Sequence, residues 1–376
     1  MRHADVIVCG AGVIGAAVAY GLASLGRKTL VLDGPDTAPR ASRGNFGLVW
    51  VHGKGLGMRP YARWSLASAD LYADFTAELT ARSGVECSYR RTGGVWLTLG
   101  EGEFAAHKQL IARLHAEAGA EGYRAQLLGR DEIERLMPGV GPSVAGGSWS
   151  EDDGEVSPLA LLRALHGALP TVGAVRQTGC TVSAIQPVPG GPGFEVTVNG
   201  ERLGCELLVI AAGLGSRRLG AMLGMDVPVS PDRGQILVTE RIAPRFSVTS
   251  NLVRQTPEGS ILIGATSEQV GEDDRVDRAG LRNVARLGTT AFPFLGRLRV
   301  VRSWGALRVL TPDGYPIYEE VPGHAGAFVV TAHSGITLAA AHARRLAAAI
   351  ASGRLSGDLA AFTSARFQSP HAALLH

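Results

Sequence analysis

This chain of 376 residues has little cysteine, no run of like charge and no long apolar stretch. Cys9, Cys87, Cys180 and Cys205 lie far apart with no Cys-x-x-Cys pair, which argues against a zinc or iron–sulfur site. Three of the four fall in or beside expected strands, where a free thiol behaves as a small buried hydrophobe. Lys and Arg total 37 against 34 Asp and Glu, and no basic run or basic–aromatic stripe stands out, so nucleic acid is not an expected partner. The apolar run at 13–25 is too short and too rich in glycine to span a bilayer. The N-terminus enters its first strand at once, with no room for a secretory signal, so a cytoplasmic location is expected. No Ser–His–Asp order and no metal-ligand cluster of credible spacing is present, and no metal is expected.

The composition is otherwise that of a globular protein, 45% hydrophobic and 19% charged, and its length suggests two domains or one cofactor domain with a large insertion. The 50 glycines are scattered rather than periodic, which favours tight turns and close backbone approaches. The informative ones come first. A short apolar strand at 5–9 runs into Gly10-Ala11-Gly12-Val13-Ile14-Gly15, a helical stretch follows, and a second strand at 28–32 ends on Asp33. In this dinucleotide-binding fingerprint Gly10 permits a tight turn, Gly12 lets backbone approach a pyrophosphate, and Gly15 lets helix and strand pack closely. Asp33 lies 18 residues past Gly15, near the spacing of a carboxylate that binds a ribose hydroxyl. Alone, the fingerprint leaves NAD and FAD open.

Further along, a loop is expected at 41–57 and amphipathic or capped helices at 60–83, 102–118, 130–136 and 159–168, with a strand pair at 85–99. A second cofactor-domain-like piece is expected from about Gly147, with strands at 173–185, 194–198 and 207–211. Strands at 234–239, 260–263 and 298–303 and a helix at 277–290 follow, and the chain closes with a strand at 327–331 and a helix at 337–351. Between these last two, His333-Ser334-Gly335-Ile336-Thr337 places free amides and a helix dipole at the end of a strand. Two such positive helix ends suit a cofactor with two electron-rich portions. The alternative is a helix cap in which Ser334 or Thr337 satisfies amides and His333 lies at the surface.

With the fingerprint, Asp153-Gly154-Glu155-Val156-Ser157-Pro158, Ala211-Ala212-Gly213, Arg233-Gly234-Gln235, Ile261-Leu262-Ile263-Gly264-Ala265-Thr266 and Ser303-Trp304-Gly305-Ala306-Leu307-Arg308, the whole chain resembles the D-amino-acid oxidase/glycine oxidase superfamily of FAD-dependent amine oxidoreductases. Ser42-Arg43-Gly44-Asn45-Phe46-Gly47-Leu48-Val49-Trp50, Thr311-Pro312-Asp313-Gly314-Tyr315-Pro316-Ile317-Tyr318 and the closing turn are most similar to one branch, the β subunits of D-hydroxyproline dehydrogenases and opine oxidases, with hydrogen cyanide synthase more distant. The resemblance implies an α/β fold in which a Rossmann-like FAD-binding domain (1–83, 145–222 and 304–376) interleaves with an α+β, antiparallel-sheet substrate domain (84–144 and 223–303).

It also implies roles. Gly10, Gly12, Gly15 and Asp33 would hold the ADP half of FAD; Ser42, Arg43, Asn45, Phe46 and Gly47 would line the pyrophosphate and flavin. Val182 would contact adenine through its backbone, Ala211, Ala212 and Gly213 would close over the nucleotide, and Gly335, Ile336 and Thr337 would approach the flavin's N1/O2 edge. Arg308 would clamp the substrate carboxylate through parallel hydrogen bonds. Departures from the family pattern are Val309, where many relatives have proline, and Leu252-Val253-Arg254-Gln255, where a substrate-contacting tyrosine often precedes the Ile-Leu-Ile-Gly strand. Arg254 is a candidate second carboxylate ligand, and His52 and Lys54 are candidates to reach the flavin face.

With no cysteine in the C-terminal flavin-contacting motifs, FAD is expected to be non-covalent. The expected reaction is oxidation of the C–N bond of a small amino or imino acid, with D-hydroxyproline or D-proline ahead of an opine and hydride passing to flavin N5. A self-sufficient glycine/sarcosine-type oxidase, a pyridine-nucleotide dehydrogenase and a non-catalytic FAD subunit serving assembly or electron relay are the competing readings. The branch further implies an α subunit, a small ferredoxin-like subunit, and FMN at a subunit interface as a further cofactor.

Overall fold

The computed structural model describes residues 2–35, 41–119 and 122–368. Its largest sheet has eight strands, and the fingerprint lies at its centre. Arg2–Cys9 pairs in parallel with Thr29–Leu32 on one side and with Glu201–Ile210 on the other. Ala327–Thr331 adds in parallel beyond Glu201–Ile210, and Ile317–Glu320 closes that edge antiparallel. Val175–Gln177 flanks Thr29–Leu32, while Val182–Pro187 and Phe194–Val198 form an antiparallel extension on Glu201–Ile210. Within the central strands, residues 6–9, 208–210 and 327–330 are continuous buried apolar runs because they are covered on both faces, as parallel sheets require.

One cover is helical. Val13–Ser24 is buried along ten of its twelve residues, packed among Pro158–Ala168 and the closing helical segment from Gly335 to Ala351. That segment starts as an α-helix at Gly335–Ala341, passes through a π-helical turn at His342–Leu346 and ends at Ala347–Ala351. Its approach to the first helix demands small residues: a Cβ on Gly21 would lie 2.1 Å from the Ala343 carbonyl oxygen. The long helix Arg59–Ser83, opened by Pro60 in its first turn and closed by the left-handed Gly84, packs outside these.

Two smaller four-stranded sheets make a second layer. One runs Val253–Gln255, Ser260–Gly264, Ser230–Arg241, Val300–Leu310, all antiparallel. The other is centred on Gly94–Leu99 and Val144–Ser150, with Gln126–Gly129 and the short parallel strand Thr249–Ser250 at its edges. The helix Arg278–Ala291 and the aromatic group Phe246, Phe292 and Phe294 fill the space between them.

The interleaved α/β architecture matches expectation, but the boundaries at 145 and 304 cut through strands. Val144–Ser150 pairs along its length with Gly94–Leu99, and Val300–Leu310 pairs with Ser230–Arg241. Both belong with the second layer, so the expected cofactor-type piece from Gly147 begins only after Ser150. Other expected elements start late or stop early: the strand at 207–211 extends back to Glu201, and the strand pair at 85–99 is a single strand from Gly94 preceded by a bridge at Arg90. Residues 369–376 of the expected first domain lie outside the described residues, as do 1 and 36–40.

His342, which opens the π-helical turn, is fully buried, its Nε2 2.7 Å from the Tyr318 hydroxyl, and burial pushes its pKa down to about 3. The unfolded chain takes up this proton below about pH 6.5, while the folded chain resists it until far lower pH. The folded state therefore loses about 1.4 kcal/mol per pH unit at this residue as pH falls below 6.5. His342→Gln is expected to remove that component from urea-unfolding free energies compared at pH 7 and pH 5. An unchanged pH dependence would exclude a buried neutral imidazole at this position.

Candidate active site

The fingerprint turn is built by what its glycines lack. Gly10 has φ +107°, and a Cβ there would sit 2.4 Å from the Ala211 carbonyl oxygen; a Cβ on Gly15 would sit 2.0 Å from the Gly10 carbonyl oxygen. A Cβ on Gly12 would meet only the Ser42 hydroxyl, at 3.2 Å, and the residue otherwise opens on a cleft of about 530 Å³. That side chain-free floor at a helix N-terminus suits a pyrophosphate. Ser42 Oγ accepts the Val13 amide at 3.0 Å, which ties the 41–50 segment to the helix end. Asp33, buried at the tip of its strand, accepts the Ala11 amide at 3.2 Å and lines the same cleft.

Val182 also lines this part, and its carbonyl accepts Arg218 Nη1 at 2.9 Å. An adenine held by the Val182 backbone would share or displace that donor. Ala211, Ala212 and Gly213 form the adjoining wall, with the Ala212 amide capped by Ser216 Oγ. Glu272 and Asp274 reach it from the loop at 265–277. Arg233 pins that loop through Glu268, Asp277 and the Arg275 carbonyl, and Gln235 adds bonds to Glu268 and Asp277. The Arg233-Gly234-Gln235 motif is thus an anchor for the cleft's covering loop.

The cleft continues into a narrower part of about 240 Å³, sharing Ala41, Asn45, His333 and Ile336 with the first. The second helix N-terminus opens here. A Cβ on Gly335 would lie 2.9 Å from Ile14 Cγ1, so both helix ends meet at one cavity. Thr337 Oγ1 accepts the Trp50 amide at 3.1 Å, and Tyr61 OH bonds to Ser334 Oγ at 2.9 Å. His333 is exposed where it borders both parts of the cleft; desolvation by the surrounding protein first, then Lys54 and Arg308, hold its pKa down to about 4. Ile336 and Thr337 line this part, as do Asn45 and Phe46, while Gly335 lines the wider part beside them. Arg43 is not among the lining residues, and Gly47 sits behind them with φ +96° against the Val156 carbonyl.

Arg308 comes from the strand Val300–Leu310 and faces this narrower part. Its register partner across the sheet is Asp232, and Nη1 donates to Asp232 Oδ2 at 2.5 Å and to the Thr266 carbonyl at 2.8 Å. Gly234 leaves space for the guanidinium, since a Cβ there would be 2.4 Å from Nη2. No sequence motif points to Asp232; only strand register reveals it, because 76 residues separate the pair.

The other candidates divide. Arg254 is buried under Phe46, where its Nε donates to the Phe46 carbonyl and Nη1 lies 3.9 Å from Glu155 Oε2; desolvation lowers its pKa. It lines neither part of the cleft, which corrects its expected place as a second carboxylate ligand. His52 does not reach the flavin face either: it stacks behind Trp50, with Nε2 2.6 Å from Ser148 Oγ and Nδ1 3.2 Å from Asp153 Oδ2. His107 bonds the same serine, and burial, then His52, lower its pKa to about 4. Lys54 does line the narrower part.

A sequence profile of the FAD dependent oxidoreductase (DAO) family matches residues 5–349. The opine oxidase B-subunit of Rhizobium meliloti is 39% identical over 373 residues, covering 99% of this chain and 100% of the relative. Its namesake in Agrobacterium tumefaciens (strain Ach5) is 38% identical over 374 residues with the same coverage. Glycine oxidase from Geobacillus kaustophilus superimposes with a TM-score of 0.88 at 27% identity, covering 96% of this chain and 98% of that one. L-Proline dehydrogenase from P. horikoshii shares the fold, with a TM-score of 0.83 at 19% identity and 98% coverage of each. Among the described residues no helix is long and apolar enough to cross a membrane, and no His/Cys/Asp/Glu cluster could hold a metal.

Asp33→Ala removes a buried charged acceptor, a loss of about 1.5–3 kcal/mol for such a hydrogen bond. At 1.4 kcal/mol per tenfold, FAD dissociation should rise by about 10- to 100-fold. Dialysis followed by the 450 to 280 nm absorbance ratio measures it, and retention of flavin equal to the parent's would remove Asp33 from the cofactor site.

Proposed function

Because the chain belongs to the FAD dependent oxidoreductase (DAO) family, we propose that it oxidises the C–N bond of a small carboxylate-bearing imino acid, with an opine ahead of D-hydroxyproline or D-proline. The observation that carries this reading is Arg308: a guanidinium facing the narrower part of the cleft, held by Asp232 and the Thr266 carbonyl through Nη1 alone. The rest of its fork is directed by that grip, and a fork fixed at one nitrogen is suited to a carboxylate approaching at the others. The preference for an opine rests on the two relatives at 38–39% identity over their full length, both named as opine oxidase subunits. Nothing in the cleft favours a proline ring over an open-chain imino acid.

FAD, when bound, supplies the two-electron acceptor. Gly10 and Gly12 would cradle its pyrophosphate, with Gly15 packing the helix against the strand behind them, Asp33 would hold its ribose, and the Gly335–Thr337 helix end the electron-rich edge of its ring. The protein's remaining work is placement and electrostatics. Arg308 binds the carboxylate and so sets the orientation of the adjacent carbon. Cationic Arg308 disfavours the protonated form of a nearby amine, and the neutral form is the one that can be oxidised. His333, at the helix end with its pKa held down to about 4, adds no competing positive charge at neutral pH. No strong general base is required for such a step.

The names of the two opine oxidase relatives as subunits support a further element of the reading: this chain works with at least one other subunit. An α subunit, a ferredoxin-like subunit and an interface FMN fit that arrangement, with electrons leaving through the partners rather than to oxygen directly.

Anaerobic mixing of the FAD-loaded chain with imino acids and opines tests the reaction: bleaching of the flavin band is expected with opines. Silence across the panel, with flavin fully bound, would favour an assembly or relay subunit. Arg308→Lys keeps a cation for Asp232 but loses the fork. It should lower kcat/KM by about 100-fold, or about 3 kcal/mol, with flavin still bound. Kinetics equal to the parent's would sink the anchoring role.

A further inference from the structure

We propose that Lys54 is a second carboxylate anchor beside Arg308, making the site selective for secondary amines that carry two carboxylates; this rests on the C–N oxidation reading above. Lys54 lines the narrower part of the cleft together with Arg308, His333 and Ser334. Its Nζ is closed off from solvent and has no hydrogen-bond partner. The contact it does make is with the Tyr61 ring, 5.4 Å from Nζ to the centroid, and the Tyr61 hydroxyl is bonded to Ser334 at the cleft wall. A buried cation without a partner is unfavourable, and a ligand anion arriving at it recovers that loss.

Among the described residues, no carboxylate takes this role. Asp153 is the acidic group that acts on Lys54, but it makes no hydrogen bond to it: its Oδ1 accepts the Val51 and His52 amides at 2.6 and 3.1 Å, and its Oδ2, 3.2 Å from His52 Nδ1, is buried without a hydrogen-bond partner. Asp232 is already engaged with Arg308. Burial pushes the Lys54 pKa down to about 7, only partly opposed by Asp153, as expected where no counter-ion is in contact.

Charge matching gives the same class of ligand. Among the described groups lining this part, the cations are Arg308, which is ion-paired with Asp232, and Lys54, which Asp153 influences without a hydrogen bond. An amino acid with one carboxylate arrives with no net charge and leaves Lys54 uncompensated. A secondary amine with two carboxylates arrives with one net negative charge and matches it. The choice of lysine is itself informative in a chain with three lysines, Lys28, Lys54 and Lys108, among its 37 cationic side chains. A lysine can stay neutral in a closed site and take up its proton when a carboxylate binds, which an arginine does not do.

The experiment uses the FAD-loaded chain and two sulfur isosteres that have no amine to oxidise. Thiodiacetate carries two carboxylates, and methylthioacetate carries one; each is titrated by its effect on the flavin absorbance band. The parent should bind thiodiacetate at least tenfold more tightly, and Lys54→Met and Lys54→Gln should each lose that preference. In parallel, the parent's kcat/KM for iminodiacetate should exceed that for sarcosine at least tenfold, a reading that needs no variant. A preference that survives both substitutions overturns the role of Lys54. A parent that shows no preference while sarcosine still reduces its flavin overturns the inference and leaves C–N oxidation standing. A parent whose flavin no amine reduces overturns both.

Discussion

Everything in this site depends on two helix N-termini being brought to one cavity with almost no side chain between them. The first is seated by Gly10 against Ala211 and by Gly15 against Gly10, and the second reaches the first through Gly335 against Ile14. Further back the same two helices touch at Gly21 and Ala343, so their relative position is set at both ends by the absence of side chains. Hydroxyls then fasten the segment between them: Ser42 to the Val13 amide, and Thr337 to the Trp50 amide. Partial positive charge at a helix end falls off within a turn, so an error of a few ångströms would separate the two ends of a bound FAD from the amides that serve them.

The parts of this arrangement that were legible in the sequence are those whose physical constraint is local. The fingerprint glycines act on one another within six residues, and Asp33 is fixed by the length of one strand–helix–strand unit. The helices at 101–118 and 130–136 also carry local charge signals, acidic residues in the first turn and a basic residue in the last. The strand Val144–Ser150 was not legible, because Gly146 and Gly147 make it look like loop. Both are required by neighbours distant in sequence: a Cβ on Gly147 would be 1.9 Å from the Trp96 carbonyl oxygen, and one on Gly146 would strike Phe104. Lost β-propensity at those positions is offset by close packing of the sheet. The misplaced domain boundary near 145 follows directly.

Side-chain direction was the other thing hidden. His52 and Lys54 are two residues apart in one glycine-rich loop, yet one is tied to Ser148 behind Trp50 and the other lines the cleft. Nothing in the loop's own sequence decides between them; the decision lies with Ser148 and Asp153, about 100 residues away. Arg254 shows the converse. Its charge suggested a ligand, but the register of Val253–Gln255 against Ser260–Gly264 turns it toward Phe46 and Glu155.

Arg308 and Lys54 illustrate two ways of keeping a cation in a partly closed cleft. Arg308 has a protein counter-ion, so its charge is permanent and its geometry is fixed before any ligand arrives, which is what orientation of a reacting carbon demands. Lys54 has none in contact among the described residues, with Asp153 acting on it without a hydrogen bond, so its charge is conditional on what enters. A permanent anchor sets where the oxidised carbon sits, whereas a conditional one contributes only when the ligand brings a matching anion. Selectivity between ligands is a difference of two binding free energies. The residue that discriminates must therefore be one whose environment is unfavourable without the right partner, and within this cleft that description fits Lys54 and not Arg308.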